Sequence, residues 1–329
     1  MKIKLAHKFE DIVNVNNLLE SWLEFLKGKK QKKEVQEFQL HLMDNILSLH
    51  RDIINRNYKH GGYQRFKIND PKPRIIHKAT VRDRLLHRAV YRVLYPFFAQ
   101  TFISDSFSCQ INKGTHKAIR RFRKYISIVS ENNTKTVWVL KCDVKKFFAS
   151  IDQRALMEIL QEYIADTDII NLLSEIIGSF YSTEAVKGLP LGNLTSQLFS
   201  NIYMNKFDQY VKHQLKVEYY VRYADDFVIL SQDKKWLEDA VPAISNFLSD
   251  NIKLQLHPDK VFIKTIASGV DFLGWINFPD HKVLRNNTKR RMFRNIVNKQ
   301  GRFETVQSYL GLIKHGNADK IRRDIQIVL

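Results

Sequence analysis

EYYVRYADDFVILS (residues 218–231) divides into two apolar, aromatic-rich runs with a pair of adjacent acids between them. β-Branched and aromatic residues suit a pleated, half-buried strand, so the stretch predicts two short strands joined at Ala224-Asp225. Successive strand residues point to opposite faces, but a tight turn can bring neighbouring acids near one cation. TVWVLKCDV (136–144) is the first convincingly buried strand of the chain, and Asp143 stands at its end. A carboxylate there is costly unless it is paired or binds a metal. Beside Asp143 across a sheet, Asp225 and Asp226 would form a hard, oxygen-rich site, and Mg²⁺ takes such carboxylates together with waters and substrate phosphates. Two such ions about 3.5–4 Å apart stabilise the attacking and leaving oxygens of an in-line phosphoryl transfer. Each acid alone also fits an ordinary turn or cap position, so the surrounding sequence has to decide.

Upstream of these strands, residues 11–56 read as two amphipathic helices split by the charged stretch KGKKQKKE (27–34). Gly61-Gly62 marks a turn. YQRFKI (63–68), NDPKP (69–73) and RIIH (74–77) then read as a basic hairpin. A long helical pattern covers 80–102, with Pro96 breaking or kinking it, and a basic helix begins near Thr115 in KGTHKAIRRFRKYISIV (113–129). Helical patterns follow at 153–164 and 168–179. After KGLPLGN (187–193), a helix is expected from Thr195 to near Lys216. A helix over 234–250, strands at 253–256, 261–265 and 269–273, and a basic helical end complete the reading. Strands interspersed with helices, and no Gly-x-Gly-x-x-Gly turn, predict an α+β sheet covered by helices rather than a Rossmann fold.

The 329 residues are 44% hydrophobic and 26% charged, the profile of a soluble globular chain able to bury a sizeable core. No apolar run approaches the roughly 20 residues of a membrane span, and the N-terminus does not read as a secretory signal. Cys109 and Cys142 are too few for a disulfide framework or a Cys-rich zinc site. A cytoplasmic protein, with no membrane partner, is the expectation. The 53 Lys and Arg against 34 Asp and Glu leave a net charge of +19, which favours a polyanionic partner. Residues 51–100 carry 12 Lys or Arg against three acids, and residues 285–329 carry 11 against three, so nucleic acid is the expected partner.

Three segments in order, LKCDVKKFFASID (140–152), GLPLGNLTSQLFSNIYMN (188–205) and VRYADDFVIL (221–230), resemble the reverse transcriptase family. Tyr223-Ala224-Asp225-Asp226 looks like its Tyr-x-Asp-Asp box. Similarity extends through PKPRIIHKATVRDRLLHRAV (71–90), KGTHKAI (113–119), LQLHPDKVFI (254–263) and GVDFLGW (269–275), covering roughly residues 60–285. The resemblance implies a right-hand polymerase with an antiparallel palm sheet backed by helices. Its implied parts are a helical N-terminal extension (1–60), fingers and palm (61–284) and a short basic helical thumb (285–329). Its implied metal set is Asp143, Val144, Asp225 and Asp226, holding two Mg²⁺ ions that Mn²⁺ could replace. Phe148 matches an aromatic gate against a ribose 2′-OH. Lys72 and Arg74 match positions that clamp the incoming triphosphate, where Arg can bond phosphate oxygens bidentately. Lys260 matches a late palm lysine able to protonate departing pyrophosphate.

The segment LGNLTSQ (191–197) departs from many bacterial and viral relatives, which carry a Gln-Gly…Ser-Pro arrangement there. Leu191 replaces the Gln before Gly192, and Gln197 replaces the Pro. That pattern resembles the reverse transcriptases of diversity-generating retroelements. In that group, the enzyme makes error-prone cDNA from a template-repeat RNA, with errors concentrated at adenines, and a small basic accessory protein takes part. A Gln near the nascent pair can hydrogen-bond the incoming nucleotide, and Leu191 cannot, so discrimination resting on that bond would be lost. The nearest alternative is the enzyme of another bacterial retroelement: a group II intron, a retron or a phage-defence system. About 45 residues follow the palm with nothing resembling an RNase H or HNH domain, which weakens the intron-maturase reading. An inactive RNA-binding scaffold would not need the three acids, and a viral RNA replicase would not keep Phe148. RNNTKRRMFRNIVNKQGRF (285–303), with Phe293 and Ile296 on its apolar side, would either grip the template–primer backbone or pack on the palm with a solvated outer face.

Overall fold

The computed structural model describes residues 3–69, 72–182, 184–317 and 319–328. Two compact units emerge, each built from separated stretches of chain. The first takes residues 1–103, 144–210 and 245–255; the second takes 104–143, 211–244 and 256–329.

The first unit is mainly helical. Four short helices, Phe9–Val13, Val15–Phe25, Lys33–Leu40 and Leu42–Ile54, stand where two were expected. Asn14 makes the first break, because its side chain accepts from Asn17 N and caps a new helix. His41, at φ −120° and ψ 41°, makes the other. The charged stretch at 27–34 does supply a connection, although its last two residues already belong to the helix Lys33–Leu40. Helix Val81–Ala99 runs through Pro96 and packs against Val15–Phe25 and Leu194–Gln209. Trp22, Leu85, Leu86, Val90 and Phe98 are among its buried core residues, and each such side chain contributes roughly 1.5–3 kcal/mol of burial. Strands β1 (Gln64–Ile68) and β2 (Arg74–Lys78) form the expected antiparallel hairpin, with Gln64 opposite Lys78 and Ile68 opposite Arg74. Asp70 and Pro71 of its expected turn lie outside the described residues.

The second unit carries the palm-like sheet. Strands β3 (Trp138–Asp143), β4 (Tyr220–Tyr223), β5 (Asp226–Ser231) and β6 (Phe262–Thr265) are ordered β4-β5-β3-β6, antiparallel throughout. Helix Thr115–Val129 lays Ala118, Phe122, Tyr125, Ile126 and Val129 on Val139, Val221, Val228 and Leu230 of one sheet face. A three-stranded antiparallel sheet follows: β7 (Val270–Phe272), β8 (Trp275–Asn277) and β9 (Lys282–Leu284). The last two strands were not anticipated, being three residues each and lacking a legible alternation. Helices Asn286–Asn298, Phe303–Ile313 and Asp319–Val328 end the chain. Met292, Ile296, Val306, Ile313 and Ile321 gather with Trp275 into a separate core.

Two further expectations are corrected. Residues 253–256 form no strand run, because they close the preceding helix, Lys234–Ile252. Lys253 takes φ +52°, and Leu254 N donates to Leu248 O at 2.8 Å, a left-handed helix stop. The helix beginning at Leu194 is α-helical only to Gln209, and a π turn, Tyr210–Gln214, completes it.

Candidate active site

The three acids share the second unit. Asp143 closes β3 and Asp226 opens β5, and the two are direct antiparallel partners. Tyr223 also pairs with Asp226, leaving Ala224 and Asp225 as a two-residue hairpin connection. Ala224 sits at φ +57°, a left-handed conformation that costs a residue with a Cβ and tends to occur at functional turns. Asp225 is therefore carried on the tip of the hairpin, and Asp226 on its return strand.

Two lysines attend these carboxylates. Lys260 Nζ lies 2.7 Å from Asp143 Oδ1. It ends the short 3₁₀ turn Pro258–Lys260, and His257 N donates to Asp143 O at 2.7 Å. Lys141, only 8% exposed, lies 3.4 Å from Asp226 Oδ2 and donates to Asp271 O at 2.8 Å. Lys141 was missed as a site residue. The available signal was its spacing, since i and i+2 of a strand share a face and a lysine inside VLKCD needs a partner.

Burial pushes the Asp226 carboxyl up to about 7; Lys141 opposes this, while Asp143 and Asp225 add to it. Its Oδ1 is buried with no hydrogen-bond partner. An unsatisfied acceptor among three carboxylates suits a hard cation. Among the described residues, no three His, Cys, Asp or Glu groups are gathered closely enough to hold a metal by themselves. Mg²⁺ needs only one or two carboxylates when waters and substrate phosphates complete its shell, so the donor set fits. Val144, expected beside the acids, is buried. Cys142, next to Asp143 in β3 and opposite Phe227, has its thiol pushed up to about 12 by burial and by Asp226 and Asp143, so it is no nucleophile at neutral pH.

The residues expected to handle the nucleotide lie in the first unit. Arg74 begins β2 and is exposed, as is Lys72 before it. Phe148, half-buried in the short helix Phe147–Ser150, meets the Phe147 ring edge-on at 5.3 Å. Its carbonyl accepts from Leu189 N at 2.8 Å, tying it to the loop that leads to Leu191. That loop is in turn fastened to β2. His77 N donates to Leu191 O at 3.0 Å, and Asn193 Nδ2 donates to His77 O at 2.8 Å. Gly192, between them, has φ +103°, and a Cβ there would stand 2.7 Å from Ile76 Cγ2. Gln197 lies in the first turn of helix Leu194–Gln209, where its N donates to Asn193 O. Asn193, 2% exposed, was missed, because nothing in LGNLTSQ marks it as the residue that holds His77. A cavity of about 360 Å³ in the same unit, lined by Phe9, Arg56, Tyr58 and Glu175 among others, holds none of the expected site residues.

The profile of the reverse transcriptase (RNA-dependent DNA polymerase) family matches residues 64–277. The chain belongs to the reverse transcriptase family. Protein YkfC of Escherichia coli (strain K12) is 26% identical over 249 residues, 64% of this chain and 63% of that protein. The group II intron-encoded protein LtrA of Lactococcus lactis subsp. cremoris is 22% identical, over 68% of this chain and 47% of its own. The putative COX1/OXI3 intron 2 protein of Saccharomyces cerevisiae is 21% identical over 77% and 34%. The chain thus spans between 34% and 63% of these relatives' lengths. In structure it resembles telomerase from Candida albicans (TM-score 0.52, 13% identity, 70% of this chain and 48% of that one). It also resembles telomerase from Candida tropicalis (TM-score 0.50, 14% identity, 74% and 60%). These likenesses are of fold, and the fold is the right-hand polymerase expected from the sequence. No described helix is long and apolar enough to cross a membrane.

Proposed function

We propose that this reverse transcriptase is an active RNA-directed DNA polymerase that extends a primer on template RNA with divalent metal ions, Mg²⁺ in the first place and Mn²⁺ as a substitute. The observation that carries this reading is the direct pairing of Asp143 with Asp226 across β3 and β5, with Asp225 on the adjoining turn. Asp143, Asp225 and Asp226 would hold the ions, with the Val144 carbonyl at the margin. Bound there, the ions would stabilise the attacking and leaving oxygens of the transfer. Lys260 donates to Asp143 Oδ1 and would serve as the general acid for the departing pyrophosphate. Lys72 and Arg74 would bind the triphosphate, Phe148 would exclude a 2′-OH, and Leu191, Gly192 and Gln197 would border the nascent base pair. The basic surface would take template RNA and the primer–template duplex in a cytoplasmic setting.

Within that class, we read the chain as the enzyme of a diversity-generating retroelement, copying a template-repeat RNA with errors at adenines and assisted by a small basic accessory protein. The support is Leu191 and Gln197 in LGNLTSQ. The second reading, the enzyme of another bacterial retroelement such as a group II intron, is favoured by the group II intron-encoded LtrA and the yeast intron protein among the relatives. Primer extension on an adenine-containing RNA with Mg²⁺ and dNTPs, followed by cDNA sequencing, tests both levels. Synthesis abolished by Asp225→Asn is the expected result for the polymerase. Errors clustered opposite adenine favour the first subtype and faithful cDNA the second. No synthesis by the wild type, even with flanking RNA and accessory protein supplied, overturns the enzymatic reading.

A further inference from the structure

Arg222 is fully buried, a position almost never given to an arginine unless its guanidinium is paired. It lies in β4, one residue before the Tyr-x-Asp-Asp box. Its Nη1 donates to Ala224 O at 3.0 Å, and its Nη2 donates to Ser106 Oγ at 3.0 Å. The Ala224 carbonyl belongs to the peptide whose nitrogen is that of Asp225. The guanidinium therefore fixes the peptide plane from which the Asp225 side chain departs. Ala224 is also the residue held at φ +57°, a conformation that persists only where its surroundings over-determine it.

The anchor at the other end is equally well held. Ser106 is fully buried, and Gln110 Nε2 donates both to its Oγ at 3.0 Å and to its carbonyl at 2.9 Å. Lys113 Nζ donates to the same carbonyl at 2.7 Å. The backbone joins in. Ser106 and Arg222 form a parallel bridge, Arg222 N donates to Asp105 O at 2.9 Å, and Phe107 N donates to Arg222 O at 3.0 Å. Asp105 is itself buried, and it accepts from Tyr125 OH and lies 3.1 Å from Lys212 Nζ. Residues 104–113 thus form a rigid shelf on which β4 rests, and the Arg222 fork is the side-chain link from that shelf to the turn.

We propose that Arg222, braced by Ser106, is a positioning residue that sets the Asp225 peptide for metal binding. The inference rests on the polymerase reading above and adds to it a residue that touches neither metal nor substrate. The planar fork is essential, because it reaches two acceptors in fixed directions; a lysine ammonium is a single point donor on a flexible stem.

The test uses the full chain with Ser106→Ala and Arg222→Lys, and reads Mn²⁺ affinity by paramagnetic resonance beside steady-state primer extension. Loss of the charge-assisted hydrogen bond that braces the fork at Ser106 should weaken Mn²⁺ binding and lower kcat by about tenfold in Ser106→Ala, and loss of the fork itself by more in Arg222→Lys. KM for dNTP and affinity for the primer–template should stay at wild-type values. A purely structural role would instead lower the melting temperature and leave the properties of the folded fraction unchanged. If Arg222→Lys does not fold, Ser106→Ala decides. Wild-type kcat and Mn²⁺ affinity in folded Ser106→Ala overturn the proposal while the polymerase reading stands. A wild type that neither polymerises nor binds Mn²⁺ overturns that reading, and the positioning role with it.

Discussion

Lys260 Nζ stands 2.7 Å from Asp143 Oδ1, the shortest described link between the expected general acid and the carboxylate set. On the proposed reading Lys260 would have two separable duties: acting as general acid to the leaving group and compensating Asp143 before substrate arrives. Lys260→Ala should lower the single-turnover rate of nucleotide addition by about 10²-fold or more, the usual value of a positioned general acid. Binding of dNTP should change little. Rapid-quench measurement of one addition separates the two, and an unchanged rate would remove Lys260 from the chemistry.

Phe148 is fastened by its carbonyl to Leu189 and by its ring to Phe147, so its side chain has little freedom to step aside for a larger sugar. Phe148→Val should raise ribonucleotide use relative to deoxynucleotide use by at least about tenfold, as removal of a steric filter does. Competitive extension with matched rNTP and dNTP gives the ratio directly. If the ratio stays at the wild-type value, Phe148 is an ordinary core aromatic.

The loop Leu191–Asn193 encloses the His77 peptide, taking its N–H at one end and its C=O at the other. Leu191→Gln should lower misincorporation opposite adenine without loosening this attachment, because the attachment uses the Leu191 carbonyl. Gly192→Ala should destabilise the fold by about 1–3 kcal/mol, since its Cβ meets Ile76 and its φ of +103° disfavours a side chain. cDNA sequencing reads the first variant and urea denaturation the second. An unchanged error spectrum in Leu191→Gln would overturn the proposal that a missing amide at this position makes the enzyme error-prone.

His87 is buried beside His60, with the two Nε2 atoms 3.1 Å apart, and burial pushes its pKa down to about 3. Its folded-state pKa is depressed below the unfolded value, so the neutral ring contributes stability that is complete above about pH 6.5. That contribution is lost as pH falls through about 3. His87→Gln should flatten the acid limb of stability between those limits, as followed by denaturation midpoints from pH 7 to pH 4. Parallel curves for variant and wild type would move the acid sensitivity elsewhere.

Local pattern determined much of this protein. The alternation in YQRFKI and RIIH, the apolar run of TVWVLKCDV and the two strands about Ala224-Asp225 each report a local preference for extended chain. Each appears within a residue or two of its expected place. The start of the basic helix at Thr115 was legible for the same reason. Strands β8 and β9 were not, because three residues carry too little period to distinguish a strand from a loop. Nor was the stop after the helix Lys234–Ile252, where Lys253 turns left-handed and Leu254 returns to close it in place of the strand expected at 253–256.

The carboxylates were legible as an ordered set of motifs, but their arrangement was decided by pairing. Asp143 and Asp226 are 83 positions apart in the chain and become neighbours only through the β3–β5 register. The same holds for the supporting contacts: Lys260 on Asp143, Lys141 on Asp226, Asn193 on His77 and Ser106 on Arg222. A sequence records local conformational preference and burial, because these depend on a residue and its near neighbours. Which distant hydrogen-bonding groups meet depends on how strands and loops pack, so the acids could be named from the sequence while only the tertiary structure identified what holds them in place.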